Sequence, residues 1–454
     1  MNKNMCESGE GNHNPLTIPM EMEMEMEISK LQTILEVMLV EILARLPSRS
    51  IAKFKSVCKT WKSLIESPYF RRLFVSVHGN SPSSWSLTIR NNDHPPIREV
   101  IGFHGREPPK SLASYILDFQ QNLNLPTSDF TYLASSNGLI WIQINVPSTK
   151  NRPCYHKSFV GNPVLRQWVE IPPPPEPCQA TGLVTRVEDD GVVSSFKLVK
   201  TRQRIDTKPN VWRVYVYSSE TRNWTLKLIL SPHPFDDDAD FKSPLNLDGV
   251  LYLRKRRWGT GERGALIGHD FYGPDADVQC RVIPFPFPHN KEARRCLTTS
   301  RRHVMYMDIL HRRLNVWRLN NNNSASEGQV WHLLREEINM ASVGFDGICY
   351  PVAMNPFDAG IVYLWSLKHN SMVFGNLRTH KITLQKEPEY SSSEGCYSII
   401  NTSNFIIDIR PHMEGRILWV ANLSHFVLPQ WMDSLTSLRR DLIACLLHKF
   451  VLRL

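Results

Sequence analysis

No stretch of about 18 uncharged apolar residues occurs in the chain, which excludes a membrane-spanning helix. The first residues, MNKNMCESGEGNHNPLTIP, hold no apolar core of the kind a secretory leader needs, so none is expected. No Cys-x-x-Cys pair exists. The nine cysteines (Cys6, Cys58, Cys154, Cys178, Cys280, Cys296, Cys349, Cys396 and Cys445) are scattered and odd in number, without zinc spacing, and read as free thiols in a reducing compartment. Asn223, Asn322, Asn401 and Asn422 open glycosylation sequons that stay unmodified in such a compartment. Long basic tracts are missing too. The net charge is +9, yet its basic residues come in short knots such as Arg254-Lys255-Arg256-Arg257 and Arg301-Arg302. That pattern reads as a solvated surface rather than a nucleic-acid face.

What is present is a globular composition of 454 residues, 42% hydrophobic and 21% charged. Residues 1–30 carry Lys3 and Lys30 against six glutamates, with Met and Glu alternating from Met20 to Glu27, and are expected to form a disordered acidic tail. Residues 31–74 change character. Leu35, Leu39, Ile42, Leu43 and Leu46 recur at helical spacing until Pro47 ends the helix. Ser50 suits an N-cap for a second helix carrying Ile51, Phe54 and Val57, and a third stretch holds Trp61, Leu64 and Ile65 before Pro68. Helices this short must pack on one another or on a partner.

From residue 75 the pattern is β. Short runs rich in Val, Ile, Tyr, Trp and Phe stand at 84–90, 138–144, 212–218, 249–256, 303–309, 360–367 and 415–421, broken by Asn-Gly, Asp-Gly and Pro clusters. No long amphipathic helix intervenes, which argues against a parallel α/β sheet. A loose repeat runs through them. Trp168 and Trp224 end comparable units 56 residues apart, and Asn137-Gly138 precedes Asp248-Gly249 by 111. Units of about 45–55 residues fit the blades of a kelch-like propeller. Six blades are expected, with seven left open. The strands at 84–90 and 396–422 are expected to share one blade. From Ser434 the spacing of Leu435, Leu438, Leu442, Leu446 and Phe450 predicts a C-terminal amphipathic helix over 433–454, docked on the domain body or lying on a membrane surface.

Catalytic signals are weak. Gly259-x-Gly261-x-x-Gly264 is followed by glycines and a proline rather than a helix, so it reads as a hairpin and not a dinucleotide site. Asp236, Asp237, Asp238 and Asp240 lack the glycine and terminal glutamate of a calcium loop. No nucleophile elbow or paired-histidine zinc motif is present. No cofactor, metal or catalytic residue is expected.

Segment 34–70 is the informative one. It contains Leu39-x-Glu41-Ile42-Leu43-x-x-Leu46-Pro47, then Ser50-Ile51, then Val57-Cys58-Lys59-x-Trp61-x-x-Leu64-Ile65, then Pro68-x-Phe70. This ordered set closely resembles the F-box, departing only where Ile34-Leu35-Glu36-Val37 stands in place of the usual opening Leu-Pro. The rest is similar, more loosely, to the F-box-associated, kelch-like β-propeller of plant F-box proteins. The similarity is carried by 135–140, by Gly161-Asn162-Pro163 through Trp168, by the Pro172–Pro175 run and by the ending Val427-Leu428-Pro429-Gln430-Trp431.

The resemblance implies an α+β multidomain chain: a three-helix F-box over 31–74, then an all-β propeller over 75–432. It implies a non-catalytic substrate-recognition subunit of an SCF-type cullin–RING ubiquitin ligase, in the cytoplasm or nucleus. The F-box would bind a Skp-type adaptor, and through it the cullin and RING proteins, with Leu39, Leu43, Pro47, Ile51, Val57 and Trp61 as adaptor-binding residues. The propeller would bind an unknown protein substrate. Loop 254–264 is the candidate, because Arg256, Arg257 and Trp258 are of the types enriched at binding hot spots. A sugar- or small-molecule-binding propeller and a propeller enzyme are the alternatives.

Overall fold

The computed structural model describes residues 20–46, 48–78, 85–89 and 98–101, then Leu112, Ile116, Phe119 and Leu123, most of 130–384, and 423–427. The chain divides into two compact units, at Gly79 and Asn80.

The first unit is helical. α1 (Met20–Ala44) begins eleven residues before residue 31, so residues 20–30 are helix rather than the expected tail. Methionine and glutamate are both strong helix formers, and their strict alternation hides the helix because its period of two marks no single helical face. Residues 1–19 lie outside the described part. α2 (Ser48–Phe54) follows; Ser50 sits inside it, not at its cap, because the helix already starts at Ser48. α3 (Lys59–Ile65) is capped by extended Cys58, whose Sγ accepts from the Trp61 amide at 3.4 Å. α4 (Pro68–His78) starts on a proline that has no amide to leave unpaired, and the Ser67 hydroxyl accepts from the Phe70 amide at 3.2 Å. It runs past the expected boundary at residue 74. Val40, Leu43, Ala44, Ile51, Ile65, Phe70 and Phe74 form the shared core. Each large side chain there contributes roughly 2 kcal/mol on burial, which offsets the intrinsic instability of seven-residue helices. His78 Nε2 lies 2.9 Å from the Ala44 carbonyl, partnering one of the carbonyls that a helix end leaves open.

The second unit is a succession of antiparallel sheets. β1 (Trp85–Ile89) and β2 (Arg98–Ile101) open it. Four strands follow in order: β3 (Phe130–Ser136), β4 (Leu139–Val146), β5 (Tyr155–Asn162) and β6 (Gln167–Ile171). The next sheet holds β7 (Cys178–Val187), β8 (Val193–Arg202), β9 (Val211–Ser218) and β10 (Trp224–Leu230). Then come β11 (Ala239–Leu247), β12 (Val250–Lys255), β13 (Ala265–Asp270) and β14 (Arg281–Pro284). A further sheet has β15 (Arg294–Ser300), β16 (His303–Leu310), β17 (Arg313–Leu319) and β18 (Trp331–Asn339). The last complete one has β19 (Cys349–Met354), β20 (Ile361–Ser366), β21 (Ser371–Asn376) and β22 (Lys381–Leu384). β23 (Leu423–Val427) pairs back onto β1, giving the order β2-β1-β23. Among the described residues there are thus six sheets, matching the expected six blades.

Hydrogen-bonded ladders stay within the sheets, apart from an isolated bridge between Leu230 and Gln279. The sheets are joined instead by apolar cores, one between each consecutive pair. Leu133, Trp141 and Val160 meet Leu183, Phe196 and Leu198. Val199 and Trp212 meet Leu251 and Ile267. Tyr252 and Phe285 meet Tyr306 and Trp331. Met307 and Val316 meet Met354 and Leu364. Tyr350 and Trp365 meet Trp85 and Leu87. Phe426 of β23 meets Ile140 and Phe159, which returns to the start. Among the described residues the sequence of cores runs through all six sheets and returns to the start, joining them into a ring by packing.

The closing blade is built from β1 and β2 together with β23. Segment 84–90 pairs with 423–427, which begins one residue beyond the expected 396–422, and 396–422 itself lies outside the described residues. So do the expected strand at 415–421 and the C-terminal helix at 433–454.

Candidate functional site

In the helical unit the six residues expected to bind an adaptor separate by exposure. Leu43 and Ile51 are buried in the core between helices. Leu39 and Trp61 are half-buried, and Trp61 packs edge-on against Phe54 with ring centroids 5.3 Å apart. Val57 is 59% exposed, a large apolar side chain offered to solvent at the α2–α3 turn. Pro47 falls outside the described residues. Leu43 and Ile51 therefore act by holding the helices together, while Val57, with the exposed α1 residues Ile34, Val37 and Ile42, is free to make contact. The sequence pattern could not separate the two roles, since both rest on apolar residues at helical spacing.

In the ring, the first strand of each complete blade, together with β23, runs nearest its neighbours' first strands. These inner strands carry small polar side chains that bond across blade boundaries. Asn246 donates from one amide nitrogen to the Ser135 carbonyl at 2.6 Å and the Leu183 carbonyl at 2.9 Å, joining three blades. The hydroxyls of Ser136 and Thr185 lie 2.8 Å apart, and Ser300 donates to the Asn355 carbonyl at 2.6 Å. His425 of β23 is placed by four contacts, one of them between its Nδ1 and the Thr299 hydroxyl at 3.4 Å. Its Nε2 lies 2.9 Å from the Met354 carbonyl, Ser135 donates to its carbonyl at 2.8 Å, and Trp85 stands edge-on to its ring.

The tight turns leaving the inner strands are left-handed. Asn137-Gly138 and Asp248-Gly249 have φ of 44°, 76°, 47° and 84°, the hairpin geometry their types favour. Both leave first strands of blades two apart, which explains their 111-residue spacing. Arg301-Arg302 makes the equivalent turn with φ of 48° and 58°. Neither residue favours that region, but Arg301 N–H donates to the Pro356 carbonyl at 2.7 Å and Arg302 pairs with Asp248 at 2.9 Å.

The repeated tryptophans belong to the fourth strands. The Trp168 indole lies on Gly161, where a Cβ would meet ring carbons 2.3 Å away, and stacks on Phe119 at 4.2 Å. This accounts for the glycine in Gly161-Asn162-Pro163. Trp224 stands beside a buried lysine that sequence reasoning missed. Lys200, nearly buried, places its ammonium 5.8 Å from the Trp224 ring and 5.5 Å from that of Trp141. Burial holds the Lys200 amine below its usual range, partly countered by the nearby Cys178. No sequence motif marks it, because Lys200 and Trp141 come from different blades.

Several buried titrating groups of the ring are shifted toward their neutral forms. Burial pushes the thiols of Cys296 and Cys349 up to about 12, and the phenols of Tyr272 and Tyr363 likewise. Burial lowers His425 to about 4. These are the shifts of packed groups, not of an activated nucleophile. Among the described residues no cluster of three His, Cys, Asp or Glu side chains could hold a metal ion, and no helix is long and apolar enough to cross a membrane.

The glycine-rich segment lies between two strands that pair antiparallel, β12 and β13, and residues 256–263 between them fall outside the described part. Arg256, Arg257 and Trp258 on it lie outside the described residues, as do Asp236 to Asp238.

Residues 36–73 match the F-box domain, and residues 83–437 match the family described as F-box protein At3g26010-like, beta-propeller. Among relatives, F-box protein At1g49990 of Arabidopsis thaliana is 48% identical over 87% of this chain and 96% of its own length. F-box protein At3g26010 of the same plant is 41% identical, covering 87% of this chain and 88% of the relative. The putative F-box/kelch-repeat protein At4g22430 is 38% identical, covering 88% and 92%. An F-box helical unit, a six-blade ring and relatives matched along nearly their whole length leave one assignment: the chain belongs to the family of F-box proteins that carry an At3g26010-like β-propeller.

Proposed function

We propose that the chain is the substrate-recognition subunit of an SCF-type cullin–RING ubiquitin ligase. The observation that carries this reading is the F-box match over 36–73 on a helical unit that packs as a separate body from the propeller. An F-box implies a Skp-type adaptor as partner, and through it the cullin and RING proteins. Docking is helix against helix: exposed apolar side chains exclude water against the adaptor's own helices. Val57 supplies that contact, Leu39 and Trp61 border it, and Leu43 and Ile51 keep it in shape.

The propeller then holds a protein substrate through its loops, with 254–264 the first to test. The chain performs no chemistry of its own in this reading. It raises the effective concentration of a substrate lysine beside a ubiquitin-charged enzyme brought by the complex. The cytoplasm or nucleus is the compartment proposed, consistent with the thiols of Cys58, Cys178, Cys280 and Cys296, which form no disulfide among the described residues.

The test is reconstitution. The full chain, mixed with adaptor, cullin, RING protein and the ubiquitin-transfer enzymes, should form a stable complex and support ubiquitination of proteins it captures. Failure to enter the complex would reject the reading.

A further inference from the structure

Helix α1 carries a heptad seam that nothing in its unit covers. Met24, Ile28, Leu31, Leu35, Met38 and Ile42 follow one another by alternating steps of four and three residues. All six are between 49 and 65% exposed. The face of α1 that packs within the unit is another one, formed by Val40, Leu43 and Ala44. At about 100° per residue the two faces are roughly 150° apart. An apolar ridge of this kind, held in water, costs hydrophobic free energy until something covers it.

The spacing restricts what can do so. A strict three–four alternation is the seam of a coiled coil, and its complement is a helix with the same repeat. The seam spans roughly 27 Å at 1.5 Å per residue. Within the unit, α2 and α3 have seven residues each and α4 has eleven, so none reaches along it. A second copy of α1 has the required repeat and length.

The residue types agree. Ile28, Leu35 and Ile42 take the a positions and Met24, Leu31 and Met38 the d positions. Two of the three a positions, Ile28 and Ile42, are β-branched and the central d position is Leu31, a combination that favours two parallel strands. The flanking positions fit the same arrangement. In a parallel pair in register, Glu27 faces Gln32 of the second copy and Ile34 faces its Leu39, so no like charges meet. In an antiparallel pair Glu27 comes opposite Glu41. We infer that the chain self-associates as a parallel, two-stranded coiled coil through α1. The two-fold symmetric product carries two propellers, which allows bivalent capture of a substrate with two sites. Met24, Ile28 and Leu31 precede residue 36, where the F-box match begins, so this inference does not rest on adaptor binding.

Sedimentation equilibrium of the purified full chain, without adaptor, tests it. The wild type should sediment with the mass of two chains at micromolar concentration. Ile28→Asp with Leu31→Asp should raise the dissociation constant at least tenfold. Leu31→Gln, which keeps a good helix former on the surface, should shift it in the same direction. Ile28→Cys should join two copies through position 28 on mild oxidation, identified by the cross-linked peptide. A monomeric wild type, a double variant that stays dimeric, or a dimer without the 28–28 cross-link overturns the proposal.

Discussion

The indole nitrogen of Trp224 donates to the carbonyl of Pro172 at 2.8 Å, and that of Trp331 donates to Pro284 at the same distance. In each case a fourth-strand tryptophan of one blade clasps the end of the fourth strand of the blade before it. Proline is suited to the accepting end, because its carbonyl can take part while its missing amide stops the strand from extending. The clasp joins neighbouring blades at a point where no ladder does.

Trp224→Phe and Trp331→Phe keep most of the apolar contact and remove the donor. Each should lower stability by about 1 kcal/mol, the net worth of one hydrogen bond. The two sites lie in different blades, so the double variant should show the sum. Urea unfolding followed by fluorescence of the remaining tryptophans measures both. A double variant far less stable than the sum would show that the clasps act as a cooperative set.

His425 is expected to make the ring acid-sensitive. Its folded pKa is lowered from 6.5 to about 4 by burial. A lowered histidine binds fewer protons folded than unfolded. Stability from this group is therefore fully present above pH 6.5 and is lost as pH falls toward 4, by at most about 1.4 kcal/mol per pH unit. His425→Gln should flatten the pH dependence of the unfolding midpoint between pH 6.5 and 4 without a large change at pH 8. An unchanged slope would assign the acid sensitivity elsewhere.

The Arg301-Arg302 turn holds two bulky residues in the left-handed region, at roughly 1–2 kcal/mol each relative to ordinary conformations. The Arg302–Asp248 pair that accompanies it is largely exposed and contributes little. Arg301→Asn with Arg302→Gly should thus stabilise the ring by about 1–2 kcal/mol, seen as a higher urea midpoint. Loss of stability would mean that the ion pair outweighs the strain.

Much of this architecture is legible from residue order, and the limits have physical causes. The runs at 138–144, 249–256, 303–309 and 360–367 stand out because they are second strands, β4, β12, β16 and β20, enclosed on both faces and so nearly all apolar. First strands such as β3 and β15 are hidden, since their ends near the ring's centre carry Ala134-Ser135-Ser136 and Thr298-Thr299-Ser300. The F-box signal is legible because its residue types are ordered. Which of them face a partner is not, since Leu43 and Val57 differ in burial and not in chemistry. The Met–Glu alternation misleads because its period of two prints no 3.6-residue helical face.

Removing core volume from the helical unit should act on fold first and binding second. Leu43→Ala should destabilise that unit by about 2–5 kcal/mol, while the β signal in circular dichroism and the ring's unfolding transition stay unchanged. A shift of the ring's own transition would show that the two units do not unfold independently.

The central claim is that exposed apolar side chains of the helical unit dock a Skp-type adaptor. Titration of the full chain with purified adaptor by calorimetry tests it most directly, with Val57→Asp as the comparison, since Val57 is exposed and the change leaves the core intact. The account predicts saturable one-to-one binding by the wild type. It predicts at least a tenfold loss of affinity in Val57→Asp, equivalent to about 1.4 kcal/mol, with the unfolding transition of the helical unit unchanged. No binding by the wild type, or equal affinities for the two chains, would contradict it.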